Sequence, residues 1–190
     1  MPSSGTGGKY YSCDQAMISG DGLITQLGNG NHGLAHATFD TTMRHRFGLG
    51  RVWDKGKPIV AFCMLNPSTA DAFKLDPTIN RCFRFCSAWG YGGLIVVNLF
   101  SIRATNPKEI YASSEPSLPI NDIFIDKAGE VADMFMVAWG NHGIYQDRGR
   151  GVLDRLRREG KDVFRLGSLT SKCMPRHPLY LSRDEKPILM

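Results

Sequence analysis

Four short, mostly apolar runs recur in the middle of the chain, and each is stopped by a polar or glycine signal. They are Ile59–Leu65, Leu94–Phe100, Phe135–Trp139 and Asp162–Leu166. Runs of this length, closed by Asn66-Pro67-Ser68, Ser101, Gly140-Asn141-His142-Gly143 and Gly167, read as buried strands feeding loops. The segments between them carry the helical period. Thr78–Trp89 places apolar residues at Ile79, Cys82, Phe83, Cys86 and Trp89, enters through Asp76-Pro77-Thr78, and is stopped by Gly90–Gly93. Asn121–Ala132, with Asn121 as N-cap, and Arg148–Glu159, ended by Gly160, read as two further helices. Strands alternating with helices predict an α/β fold. The expected form is a three-layer α/β/α sandwich around a central, mostly parallel four-stranded sheet. An N-terminal β extension precedes it. There Thr38–Trp53 reads as a strand pair and the glycine-rich Gly20–Gly33 as turns.

With 190 residues the chain can bury one sizeable core. The division expected is a flexible N-terminus over residues 1–15 and a single domain over residues 16–190. No apolar segment approaches the roughly 20 residues that cross a bilayer, and the first fifteen residues lack a signal-peptide stretch. A cytoplasmic location is the resulting expectation. Five cysteines without a secretion signal argue for reduced, structural thiols. Cys82 and Cys86 lie one helical turn apart, which is not a zinc spacing, and an iron–sulfur cluster would need Cys82, Cys86, Cys173 and one more. His32, His36 and His45 read as surface histidines on a turn-rich segment rather than as a metal site. Neither a cofactor nor a metal is expected.

The formal net charge is +5, compatible with a polyanionic partner. One basic group, Arg148, Arg150, Arg155, Arg157, Arg158 and Lys161, reads as a solvated helix face. The other, Lys172, Arg176 and Arg183, flanks His177, where contact with phosphates is the better reading. Parallel strands bring their carboxyl ends to one edge, where open α/β sheets bind ligands. That edge would collect Asn66, Ser68, Asn98 and the loop that holds His177.

The ordered set Leu65-Asn-Pro-Ser68, Val96-Val-Asn-Leu99, Val137-Ala-Trp-Gly140 and His177-Pro-Leu-Tyr180 resembles the uracil-DNA glycosylase superfamily. The nearer resemblance is to a bacterial and phage family of unknown-function domains related to it. That likeness spans about residues 50 to 183 and includes Asp76-Pro-Thr78, Arg81-Cys82, Trp89-Gly-Tyr-Gly-Gly93 and Arg103-Ala-Thr105. It implies that Asn66 positions the attacking water, that Asn98 bonds the Watson–Crick edge of a flipped base, and that Trp139-Gly140 shapes the fold. It further implies that His177 donates to the charge developing on the base, with Leu179 and Tyr180 as wedges in the minor groove. Asn66 does not titrate, so Asp71 or Asp76 would assist it; capping of the following helix is the plainer role for Asp76. Phe73, Trp89 or Phe100 would stack on the base, with core packing the better account of Phe100. Ser68 completes the base-binding set, and Arg103 joins Arg176 and Lys172 as DNA contacts. Lys74 or Lys172 are conceivable amine nucleophiles.

The loop from Ser68 to Pro77 lacks the Tyr-His pair that helps strict uracil enzymes exclude thymine. A larger, modified pyrimidine follows as the expected substrate, for example a glucosylated hydroxymethylcytosine of phage DNA, with an antiphage role as the consequence. The expectation is therefore a monofunctional DNA glycosylase acting on double-stranded DNA by base flipping. The alternative is a catalytically inactive DNA- or nucleotide-binding module of the same fold. A serine hydrolase is disfavoured, since no Gly-x-Ser-x-Gly elbow is present.

Overall fold

The computed structural model describes residues 20, 22–30 and 33–190. The expectations for residues 1–15, for Cys13 and for His32 lie outside them. Eight strands form one mixed sheet: β1 (Leu23–Gly30), β2 (Gly33–Asp40), β3 (Arg46–Val52), β4 (Ile59–Met64), β5 (Gly93–Asn98), β6 (Met134–Val137), β7 (Val163–Leu166) and β8 (Pro187–Leu189). Their order across the sheet is β1-β2-β3-β5-β4-β6-β7-β8. The four expected strands are its centre, and β5, β4, β6 and β7 pair in parallel. The sheet is nonetheless twice the expected width. The antiparallel β1, β2 and β3 continue it past β5, and β8 closes the far edge against β7.

Gly20–Gly33 was expected to form turns, yet Leu23–Gly30 pairs residue for residue with β2. Glycines disfavour a strand in isolation, but the neighbouring ladder satisfies the backbone here. At the opposite end Pro187–Leu189 is too short to register as a strand by pattern. It exists because Arg165 and its neighbours offer an open edge.

Helices cover both faces. The first is α1 (Pro77–Ala88), which buries Ile79, Cys82, Phe85 and Cys86 against Val60, Phe62, Leu94 and Val96. On the other face α3 (Asn121–Val131) and α4 (Arg148–Arg158) set Phe124, Ile125, Val152 and Leu156 on Ala61, Cys63, Ile95 and Val97. A short α2 (Lys108–Ala112) lies beyond β5. The alternation along each strand sends odd and even residues to opposite cores. Among the described residues no helix is long and apolar enough to cross a membrane.

Asn121 does not cap α3. It sits one position inside, fully buried, and its Nδ2 donates to the carbonyls of Asn98 (2.9 Å) and Leu99 (3.3 Å). The first basic group is only partly solvated. Arg148 and Arg155 reach back from α4 to Asp122 and Asp126 of α3, while Arg150, Arg157 and Arg158 stay exposed. His36 and His45 are buried, at 3% and 6% exposure, rather than on the surface. Cys63, Cys82 and Cys86 pack in the cores, where burial pushes the Cys63 thiol up to about 12; Cys173 is exposed.

Candidate active site

The carboxyl ends of β4, β5 and β6 are tied to one another beyond the last sheet pairs. Leu99 N donates to Met64 O, Phe100 N to Leu65 O and Ala138 N to Cys63 O. Gly140 takes φ 68°, a left-handed turn that glycine adopts without strain, and its N–H donates to Pro175 O at 2.8 Å. That bond draws the late His177 loop to the end of β6. Arg81 of α1 holds the same loop from the other side through Leu181 O. A cavity of about 520 Å³ opens between these loops.

Asn66 and His177 both line it. Asn66 Nδ2 donates to Pro67 O (2.9 Å) and Ala104 O (2.7 Å), which fixes the amide and leaves Oδ1 as its uncommitted acceptor. His177 precedes the 3₁₀ turn Pro178–Tyr180, and its Nδ1 accepts from Leu179 N at 3.4 Å. In a neutral imidazole that geometry places the proton on Nε2, making it a donor. Burial lowers the His177 pKa, and the Asp76 carboxylate opposes the shift.

Asp76 is 9% exposed and also lines the cavity. Its Oδ1 caps α1 by accepting from Ile79 N at 2.8 Å. The helix cap and the cavity carboxylate are thus one residue. Ser68, Arg176, Leu179 and Tyr180 complete the expected members that the cavity gathers. Leu179 and Tyr180 stand at its margin with 39% and 82% exposure.

Six expected site residues lie elsewhere. Asn98 is 1% exposed and lies behind the cavity, its Oδ1 accepting from Arg46 Nη2 at 3.3 Å. Asp71 folds back on its own turn, Oδ1 accepting from Phe73 N and Lys74 N. Phe73, 73% exposed, lies against the Gly28 region of β1. Trp89 stacks on Phe85 and donates through Nε1 to Glu185 O, so the C-terminal segment covers it. Arg103 is turned inward, over the Phe39 ring, with donors on Met43 O (3.1 Å) and Ser68 O (3.5 Å). Lys172 belongs to an exposed turn around Thr170 and does not line the cavity. Phe100, for which core packing was the better account, is fully buried there.

Arg103 is one of three guanidiniums that hold the loop after β4. Arg46 Nη1 donates to Ala70 O at 2.8 Å, and Arg51 Nη2 donates to Asp71 O. Backbone carbonyls of Ser68, Ala70 and Asp71 therefore each accept from a different arginine. The loop that presents Asn66 and Ser68 is preorganised by side chains from β3 and from beyond β5.

Two basic side chains that line the cavity were not among the expected site residues. Arg46 is 1% exposed and lines the cavity; burial lowers its pKa to about 10. A charged residue opening the apolar run Phe47-Gly-Leu49 was the available signal. His142 is the other, within the loop after β6, its Nδ1 hydrogen-bonded to the Tyr111 hydroxyl. Trp139, 2% exposed, forms a wall whose indole lies over Gly143 and Gly149. A Cβ at Gly143 would fall 2.0 Å from that ring, so the close approach requires glycine there.

Fold and site together define an α/β protein with a cavity of mixed polar and apolar lining at the carboxyl edge of a parallel sheet core. The chain belongs to the family described as Protein of unknown function (DUF1643), whose model matches residues 46–179. No curated protein matches the chain, and no solved structure does.

Proposed function

We propose that the protein is a DNA glycosylase that hydrolyses the N-glycosidic bond of a flipped, modified pyrimidine and leaves an abasic site. The likeness to uracil-DNA glycosylases is part of this proposal. One observation carries it: Asn66 and His177, from opposite ends of the domain, line the same cavity. Asn66 Oδ1 is an acceptor for one hydrogen of the attacking water. His177 Nε2–H is a donor for the oxygen of the leaving base, as in an oxyanion hole. Asp76, with one oxygen in the helix cap, offers the other to the water's second proton.

The cavity volume, about 520 Å³, lies in the ordinary range for ligand sites and exceeds what a bare pyrimidine ring fills. A sugar-bearing base such as glucosylated hydroxymethylcytosine uses that space. Base flipping costs a few kcal/mol, and the exposure of Leu179 and Tyr180 supports a role for them in filling the vacated stack. Arg176 and the net charge of +5 favour a phosphate backbone. A substrate confined to phage DNA makes the enzyme an antiphage defence.

The test is incubation of the purified protein with phage DNA containing glucosylated hydroxymethylcytosine and with unmodified DNA, scored by alkali-labile abasic sites. Release only from the modified DNA is expected. No release from any modified DNA rejects the reading. Retained DNA binding without release would favour the binding module, a reading supported by the absence of a titratable group in Asn66 itself.

A further inference from the structure

Arg46 has no role in the steps above, although its burial is expensive. It opens β3, is 1% exposed, and lines the cavity from below. Two of its nitrogens have acceptors: Nη1 on Ala70 O and Nη2 on Asn98 Oδ1. Its Nε is buried with no partner, and no carboxylate oxygen among the described residues lies within ion-pair range. Beside it, Asn98 Nδ2 is also buried without an acceptor. Asp76, which lines the same cavity, and Asp71 attract the guanidinium without forming an ion pair with it, Arg103 and Arg51 oppose it, and neither Arg46 Nε nor Asn98 Nδ2 has an acceptor. With two neutral acceptors and carboxylates only beyond ion-pair range, the desolvation penalty of the buried cation is only partly returned. A ligand that brings negative charge would return it.

We propose that Arg46 is the counter-charge for negative charge that forms in the cavity, and that Asn98 acts by holding the guanidinium rather than by touching the base. The identity of that charge rests on the glycosylase reading, under which it is the departing pyrimidine anion. When the C1′–N1 bond breaks, its electron pair goes to N1 and spreads onto O2 and N3 of the ring. The water oxygen bonds to C1′ and gives up one proton to Asp76, from which it passes to solvent. The free base anion then takes a proton from solvent. A fixed, buried cation lowers the barrier to the first of these events with no reorganisation.

The experiment separates this inference from the reading beneath it, because it needs no turnover. Two free bases of the same ring are titrated against the whole protein by calorimetry: nitrouracil, an anion at neutral pH, and uracil, which is neutral. The parent protein is expected to prefer the anion by about tenfold or more. Arg46→Gln, checked for folding by circular dichroism, loses that preference, while Arg46→Lys keeps part of it. No preference in the parent, including no binding of either base, overturns the inference whatever the variants do. So does an undiminished preference in folded Arg46→Gln. Anion preference with no base released from any DNA leaves Arg46 as assigned and removes only the glycosylase. Base release with no anion preference does the reverse.

Discussion

Asn98 Oδ1 accepts a hydrogen bond from Arg46 Nη2 at 3.3 Å, with both residues 1% exposed. A strand-end amide that the resemblance assigns to base recognition is thus spent on an arginine, and it is the arginine that borders the cavity. The same substitution of roles runs through the site. Arg103 and Asp71, read as a DNA contact and a proton acceptor, hold the loop; Asp76 both caps α1 and borders the cavity.

Asn66→Ala and His177→Ala should each lower base release by about 10²–10³-fold, the usual cost of one preorganised partner of the reacting atoms. DNA affinity should change little. The measurement is single-turnover release alongside a binding titration, and equal losses in both quantities would argue that these residues bind rather than catalyse.

Tyr180 is 82% exposed, so Tyr180→Ala should leave unfolding free energy within about 0.5 kcal/mol of the parent. DNA affinity should fall by about 1–3 kcal/mol if the ring stacks in the duplex. Arg176→Ala should instead reduce the slope of log affinity against log salt by about one. Fluorescence anisotropy across a salt series reads both.

Arg103→Met should cost about 1–3 kcal/mol of stability, since Met43 O and Ser68 O lose a charged donor. Urea denaturation measures it. The salt slope of DNA binding should not move, and a clear drop in that slope would return Arg103 to the DNA-contacting surface.

His36 makes stability fall in mild acid. Burial, with Arg51 nearby, lowers its pKa from 6.5 to about 4. Between those values the unfolded chain binds a proton that the native protein refuses, so stability is full above about pH 6.5 and declines as pH drops toward 4. The full effect is about 3 kcal/mol, and His45 and His177, also lowered by burial, act in the same direction. Urea midpoints from pH 7 to pH 4 should shift less in His36→Leu than in the parent; identical shifts would remove His36 from the account.

The class of fold was legible because burial on both faces leaves continuous apolar runs, and Ile59–Met64, Gly93–Asn98, Met134–Val137 and Val163–Leu166 sit where those runs predict. Asn66 and His177 were legible as polar residues at strand and loop ends. What local pattern could not carry was pairing. Leu23–Gly30 and Pro187–Leu189 become strands only because an open ladder lies beside them. Trp89 fits a stacking residue by type, but the C-terminal segment returning to Glu185 covers it.

Sequence by itself determined the layered α/β architecture and the edge at which a site would be built, since periodicity and chain stops depend on near neighbours. Tertiary structure decided which side chains reach the cavity. An asparagine, an aspartate or an arginine can spend its hydrogen bonds on backbone or on ligand with little difference in local cost. Only the distant partner that arrives beside it, Arg46 for Asn98 or Ser68 O for Arg103, settles which.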